Sequence, residues 1–142
     1  MIGFEIKRMF FDRQAVISKV DAATRRVLSK FGAFVRRSAK SSIRKRKKPA
    51  PPGQPPSSHT GLLKKFIFFG YDADRRSVVI GPTRLNQKGR GEAPPLLEYG
   101  GKATLVRRGK KKRVTYQARP YMGPAFEKEK PQLPAMWRGS VR

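Results

Sequence analysis

The chain has 142 residues, of which 34 are lysine or arginine and nine are aspartate or glutamate, giving a formal net charge of +25 at pH 7. It has no cysteine, which excludes disulfides, thiolate metal sites and a cysteine nucleophile, and a single histidine, His59, which leaves little to build a catalytic site from. The length suits one domain with one modest core, and the longest apolar run, Phe66-Ile67-Phe68-Phe69, is the size of a strand and far short of the roughly 20 residues of a membrane span.

Residues 1–11 mix apolar and basic side chains, with Phe4, Ile6 and Met9 spaced for a short strand or an arm. This start lacks the features of a signal peptide, so synthesis in the cytoplasm is expected. From Asp12 to Arg46 the apolar residues Val16, Val20, Ala23, Val27, Phe31, Phe34 or Val35, Ala39 and Ile43 recur every three or four positions. That spacing predicts one long amphipathic helix. Asp12 is its N-cap candidate, and basic residues gather toward the end that the helix dipole favours for them. Gly32, about 1 kcal/mol worse than alanine in a helix interior, is a candidate kink.

Five of the eight residues from Pro49 to Pro56 are proline. The stretch 47–59 therefore reads as an extended, largely polyproline II linker. Residues 60–130 are expected to hold a sheet and short helices. Phe66–Tyr71 and Ser77–Gly81 read as a hairpin around the turn-like Asp72-Ala73-Asp74-Arg75-Arg76. Arg84–Glu92 is a polar, glycine-rich loop, and Pro94–Tyr99 suits a short helix stopped by Gly100-Gly101. Ala103–Arg107 and Arg113–Gln117 form a second strand pair, joined by the basic loop Arg108–Lys112. A last helix is expected from Pro124 to Lys130, before Pro131 and Pro134 interrupt it and a basic tail, 131–142, carries the apolar Ala135-Met136-Trp137. The pattern predicts an α+β fold, with the long N-terminal helix packed on one small antiparallel sheet, a short C-terminal helix and extended basic loops.

Reactive constellations are few. Asp72 and Asp74 have hard oxygen ligands for a divalent ion, but two acids in a predicted hairpin turn are better explained by backbone hydrogen bonding. His59 has no neighbouring acid or nucleophile to act with. Gly81-Pro82-Thr83 and Gly89-Arg90-Gly91 lack the pattern and setting of a phosphate loop. No catalytic residue, metal ligand or cofactor is expected. Charge is the stronger signal, because no acid occurs between Asp21 and Asp72. One basic cluster comprises Arg36, Arg37, Lys40, Arg44, Lys45, Arg46, Lys47 and Lys48, at the predicted helix end. The other comprises Arg107, Arg108, Lys110, Lys111, Lys112 and Arg113, on a hairpin tip. Such clusters favour polyanions through counterion release. No base-reading motif accompanies them, so contact with nucleic acid would be to phosphates and independent of sequence.

Four short segments follow one another in the second half: Thr60-Gly61-Leu62-Leu63, Val79-Ile80-Gly81-Pro82-Thr83, Glu98-Tyr99-Gly100 and Ala118-Arg119-Pro120-Tyr121-Met122-Gly123-Pro124-Ala125-Phe126. In this order the chain resembles the tail-completion and head–tail joining (neck) proteins of long-tailed bacteriophages over roughly residues 12–130. In that family the first segment opens a strand, the second ends one, the third ends a short helix and the fourth starts the final helix. The resemblance implies a non-enzymatic virion protein at the head–tail junction, a closed ring expected to be hexameric, and phage connector and tail proteins as neighbours. It also marks Thr60, Gly61, Leu62, Gly81, Pro82, Glu98, Tyr99, Gly100, Arg119, Pro120, Tyr121 and Pro124 as structural or interface residues. The proline- and lysine-rich stretch 47–58 and the interrupted final helix depart from the family pattern.

A ring of chains this basic repels itself, so it needs negative charge from genomic DNA or from acidic faces of adjoining rings. The alternative is a sequence-independent nucleic-acid-binding protein, ribosome- or nucleoid-associated, which the charge also fits. A nuclease would need clustered carboxylates or a histidine pair.

Overall fold

The computed structural model describes residues 12–83 and 93–142. The expected N-terminal arm and the loop Arg84–Glu92 thus lie outside the described residues. The order is α1 (Arg13–Ser42), α2 (Leu62–Lys65), β1 (Ile67–Asp72), β2 (Ser77–Pro82), α3 (Ala93–Tyr99), β3 (Gly101–Arg107), β4 (Lys110–Tyr116), α4 (Met122–Glu129), a 3₁₀ turn (Lys130–Gln132) and α5 (Leu133–Trp137). The fold is α+β.

Asp12 caps α1, its carboxylate accepting the Ala15 N–H at 3.0 Å. Ala23, Val27, Phe31, Val35 and Ala39 form the buried stripe, and of the two candidates at its centre Val35 is the one inside. Phe34 is half-buried, with the Arg37 guanidinium 5.0 Å from its ring centroid. The stripe outruns the core: Val16 and Val20 on the first turns of α1 are each 43% exposed. The helix stops at Ser42, four residues before the sequence reading ends it. Ser41 and Ser42 turn their hydroxyls back to the carbonyls of Ser38 and Ala39, at 2.9 and 2.8 Å. Ile43 then takes an extended conformation that buries it completely.

Around Phe31, Val35, Ala39 and Ile43 gather Leu63 of α2, Ile67 of β1, Tyr121 and Ala125 of α4. The Phe31 ring meets Phe126 edge-on at 5.8 Å. Both prolines that were expected to break the last helix sit in first turns, Pro131 in the 3₁₀ turn and Pro134 in α5, where a missing N–H costs nothing. The helical path therefore continues, and Leu133 and Met136 pack onto the core.

Gly32, the candidate kink, marks a close approach. A Cβ there would lie 2.7 Å from Val78 Cγ2 and 2.9 Å from the Phe69 ring, so the glycine lets the β1–β2 hairpin settle on the helix. Gly32→Ala gains about 1 kcal/mol of helix propensity but incurs about 1–3 kcal/mol of overpacking. The expected outcome in urea unfolding is a net loss of about 1 kcal/mol.

The strands make two separate two-stranded sheets, β1–β2 and β3–β4, not one. Only β1–β2 lies against α1. In β3–β4, all residues except Ala103, Val114 and Tyr116 are exposed, and the hairpin stands out from the body as a ribbon. The expected five-residue basic loop is a two-residue turn, Arg108 (φ 50°) and Gly109 (φ 77°), as in a type I′ hairpin. Lys110, Lys111, Lys112 and Arg113 are consequently strand residues.

The proline-rich stretch packs on the body. Ala50 and Pro56 are buried, and the chain turns at Pro51–Gln54 with Gly53 at φ 78°. Gly53 N–H donates to the Ala118 carbonyl at 2.9 Å, and Ser58 N–H to that of Arg44 at 3.0 Å. Buried prolines lose little conformational freedom on folding, so a rigid stretch docks cheaply.

Candidate functional site

The two basic clusters have different geometries. The first is divided by the end of α1. Arg36 is committed to the fold: its Nε donates to the Ile67 carbonyl at 2.7 Å, and its guanidinium lies 5.8 Å from the Phe68 ring centroid. Arg37 is exposed and Lys40 half-buried on the helix. Arg44–Lys48 leave the helix, remain exposed, and run beside the proline-rich stretch through a parallel bridge between Arg44 and Ser57.

The second cluster occupies the outer half of the β3–β4 ribbon. Arg107 pairs with Lys110 across the strands, Val106 with Lys111, Leu105 with Lys112 and Thr104 with Arg113. Because side chains alternate, Arg107, Lys110 and Lys112 share one face, while Lys111 and Arg113 share the other with Val106. The ribbon from Lys102 to Thr115 carries seven lysines and arginines and no acid. Like charges directly opposite one another are unfavourable in a sheet, and a two-stranded ribbon alone is marginal in water. The turn and the Ala103–Val114 pair set its register; the charges oppose it. Among the described residues the ion pairs are Arg75–Asp72, Arg76–Asp21 and Lys130–Glu127, and none draws on either cluster.

Two of the ordered segments meet in one junction. The Glu98 carboxylate, at the end of α3, accepts the Tyr121 and Met122 N–H groups at 2.9 and 3.0 Å on Oε2 and that of Gly123 at 2.8 Å on Oε1. It thus caps the start of α4 from another element, satisfying donors that a helix N-terminus leaves open. A Cβ on Gly123 would lie 3.2 Å from Glu98 Oε1, so the glycine permits the approach. Arg119 N–H donates to the Leu97 carbonyl and its Nε to that of Ala50, at 2.6 and 2.7 Å, drawing the proline-rich stretch into the junction. Pro120 links Arg119 to Tyr121, and Pro124 falls in the first turn of α4. Gly100, at φ 74°, lies where a Cβ would come within 3.0 Å of Ala118 N and Tyr116 O. Tyr99 is 82% exposed and takes no part.

Burial, and then the Glu98 carboxylate, push the Tyr121 phenol up from 10.0 to about 12. The folded state therefore holds this proton more tightly than the unfolded chain does. The resulting stability is fully present below pH 10 and is lost as the pH rises through 12. Between pH 9 and pH 12 the wild type should lose about 2 kcal/mol more than Tyr121→Phe in urea unfolding.

Thr60 and Gly61 lead into the helical turn α2, which begins at Leu62, so this segment does not open a strand directly. Gly61, at φ 78°, precedes α2 and donates its N–H to Ser58 Oγ at 2.9 Å, while Leu63 enters the core and Leu62 stays exposed. Gly81 and Pro82 end β2, paired with Phe68 and Ile67, and Thr83 N–H closes onto the Phe66 carbonyl at 3.0 Å. Asp72 Oδ1 accepts the N–H groups of Asp74 and Arg75, each at 3.1 Å, so the acids shape the turn. His59 is exposed, and no group of three metal-ligating side chains occurs among the described residues. No described helix is long and apolar enough to cross a membrane.

The sequence reading missed a buried pair: the Ser38 hydroxyl donates to Glu129, which also accepts from Gln132 Nε2 at 3.0 Å. The available signal was a serine between Val35 and Ala39 on the buried stripe of α1. No protein-family model, curated protein or solved structure matches this chain.

Proposed function

We propose that this chain is a structural, non-catalytic subunit of a bacteriophage neck, one of a ring of six that completes the tail and joins it to the DNA-filled head. The observation that carries the reading is the Glu98 junction. It makes two of the four ordered segments, Glu98-Tyr99-Gly100 and Ala118–Phe126, parts of one construction, with a defined role for Glu98, Gly100, Arg119 and Gly123. Support also comes from the β3–β4 ribbon, an exposed arm suited to reaching a neighbouring subunit, a connector or tail protein, or DNA in the channel. On this reading the +25 charge is offset in the particle by genomic DNA or by acidic faces of adjoining rings.

The ribbon also favours a second reading, a sequence-independent nucleic-acid-binding protein of the ribosome or nucleoid, since a two-stranded β-ribbon fits a major groove. Immunogold electron microscopy of phage particles from the source culture separates the two. Label at the head–tail junction is the expected result. Unlabelled particles, with the antigen on cellular ribonucleoprotein or nucleoid, would reject the virion reading and favour the second.

A further inference from the structure

Where the chain leaves α1, the residues beyond the helix end and the packed proline-rich stretch enclose a half-open cavity of about 370 Å³. Its walls include Ser41, Ser42, Arg44, Arg46, Gln54 and Ser57, and no acidic residue lines it. The volume falls near the lower end of the range for small-molecule sites, but the lining is cationic and hydrogen-bonding where such sites are mostly apolar.

The local backbone explains which basic residues take part. Past Ile43 the chain is extended, and the bridge from Arg44 to Ser57 holds it beside Gln54–Ser57. In an extended segment alternate side chains share a side, so Arg44 and Arg46 line the cavity while Lys45 and Lys47 do not. The opposite wall is fixed by buried Pro56, by the Gly53 N–H bond to Ala118 and by the Ser58 N–H bond to Arg44. Ser57 Oγ is buried in that wall with no hydrogen-bond partner among the described residues, an arrangement that is unfavourable unless a ligand supplies the partner. Two planar guanidinium forks, an amide and an unsatisfied hydroxyl are the donor set that a tetrahedral oxyanion takes, and arginine forks match phosphate geometry in particular.

We propose that this cavity is a phosphate seat, which holds one phosphate group through Arg44 and Arg46 with Gln54 and Ser57 completing its contacts. The phosphate is either a phosphodiester of nucleic acid or free inorganic phosphate. The inference does not depend on the neck reading, and the measurement below is made on the isolated protein.

The test is amide chemical-shift mapping of the full chain, titrated at constant ionic strength with inorganic phosphate against chloride. The expected result is a saturating shift confined to Gln54, Ser57, Ser58 and the Arg44–Arg46 backbone. Arg44→Ala with Arg46→Ala should weaken it at least about tenfold, and Lys19→Ala with Arg25→Ala, which removes as much charge from the exposed first half of α1, should leave it unchanged. Arg44→Lys with Arg46→Lys keeps the charge and removes the forks, so it too should weaken the shift, and it guards against a fold defect in the alanine pair. A short oligothymidylate moving the same amides identifies the source as nucleic acid; phosphate alone moving them identifies free phosphate. Shifts that spread over the basic surface without saturating, or that both arginine variants leave intact, would overturn the proposal.

Discussion

Changing Lys110, Lys111, Lys112 and Arg113 together to glutamine should lower affinity for random-sequence duplex DNA by about 10²- to 10³-fold at 0.15 M salt. These residues stand on an exposed ribbon without an acid, and none has an ion-pair partner among the described residues. Each phosphate contact releases about 0.9 of a counterion, so losing all four should flatten the log–log salt dependence by about three to four. Fluorescence anisotropy across a salt series measures both quantities. Lys64→Gln with Lys65→Gln, on the exposed turn α2, is the control. If each charge removed from α2 costs as much as each removed from the ribbon, net charge alone governs binding and the ribbon is not a dedicated contact. On the neck reading proposed above, the same quadruple variant in the phage should reduce particle assembly or DNA retention, read as infectious titre.

The second large effect is expected at Glu98. Glu98→Ala removes the acceptor of three N–H groups at the start of α4. Hydrogen bonds to a charged group contribute about 1.5–3 kcal/mol and a lost cap about 0.5–2 kcal/mol, so a loss of about 3 kcal/mol is expected. For a chain of this length that lowers Tm by roughly 10 °C in a calorimetric scan. Glu98→Gln keeps one carbonyl oxygen and should lose about half as much. An alanine variant that melts with the wild type would mean that α4 is held by the core contacts of Tyr121 and Ala125 alone.

Glu98 also illustrates what a sequence conceals. Its position in a short ordered segment was legible, but its partners lie 23 to 25 residues further on, and no periodicity links a carboxylate to donors on another element. Local features were readable. Asp12 and the stripe from Ala23 to Ile43 announced α1, Gly100-Gly101 stopped α3, and Asp72 marked a turn that its own carboxylate builds. The end of α1 was not readable, because lysine and arginine at 44–48 are good helix formers and the helix stops for a tertiary reason, the burial of Ile43. The same limit applies to the sheets: each hairpin is encoded by its turn, but whether two hairpins join depends on contacts that no local pattern carries. Of the candidate site, the basic runs were plain in the sequence. Their division was not: Arg36 holds β1, Arg44 and Arg46 line a cavity, and the residues from Lys110 stand on a strand instead of a loop.

The ribbon begins and ends at one place, where Gly101 pairs with Tyr116 and Gly100 lies against Ala118. None of its residues enters the core cluster. It is therefore a module with both ends on a single anchor, and selection can change its length or charge while the packing around Phe31 and Tyr121 stays as it is. Growth or loss two residues per strand at a time keeps each face in phase, whereas a single-residue insertion exchanges the faces beyond it. Relatives of this chain should accordingly differ most in this arm, and swapping arms between them should transfer partner preference without altering the body that carries it.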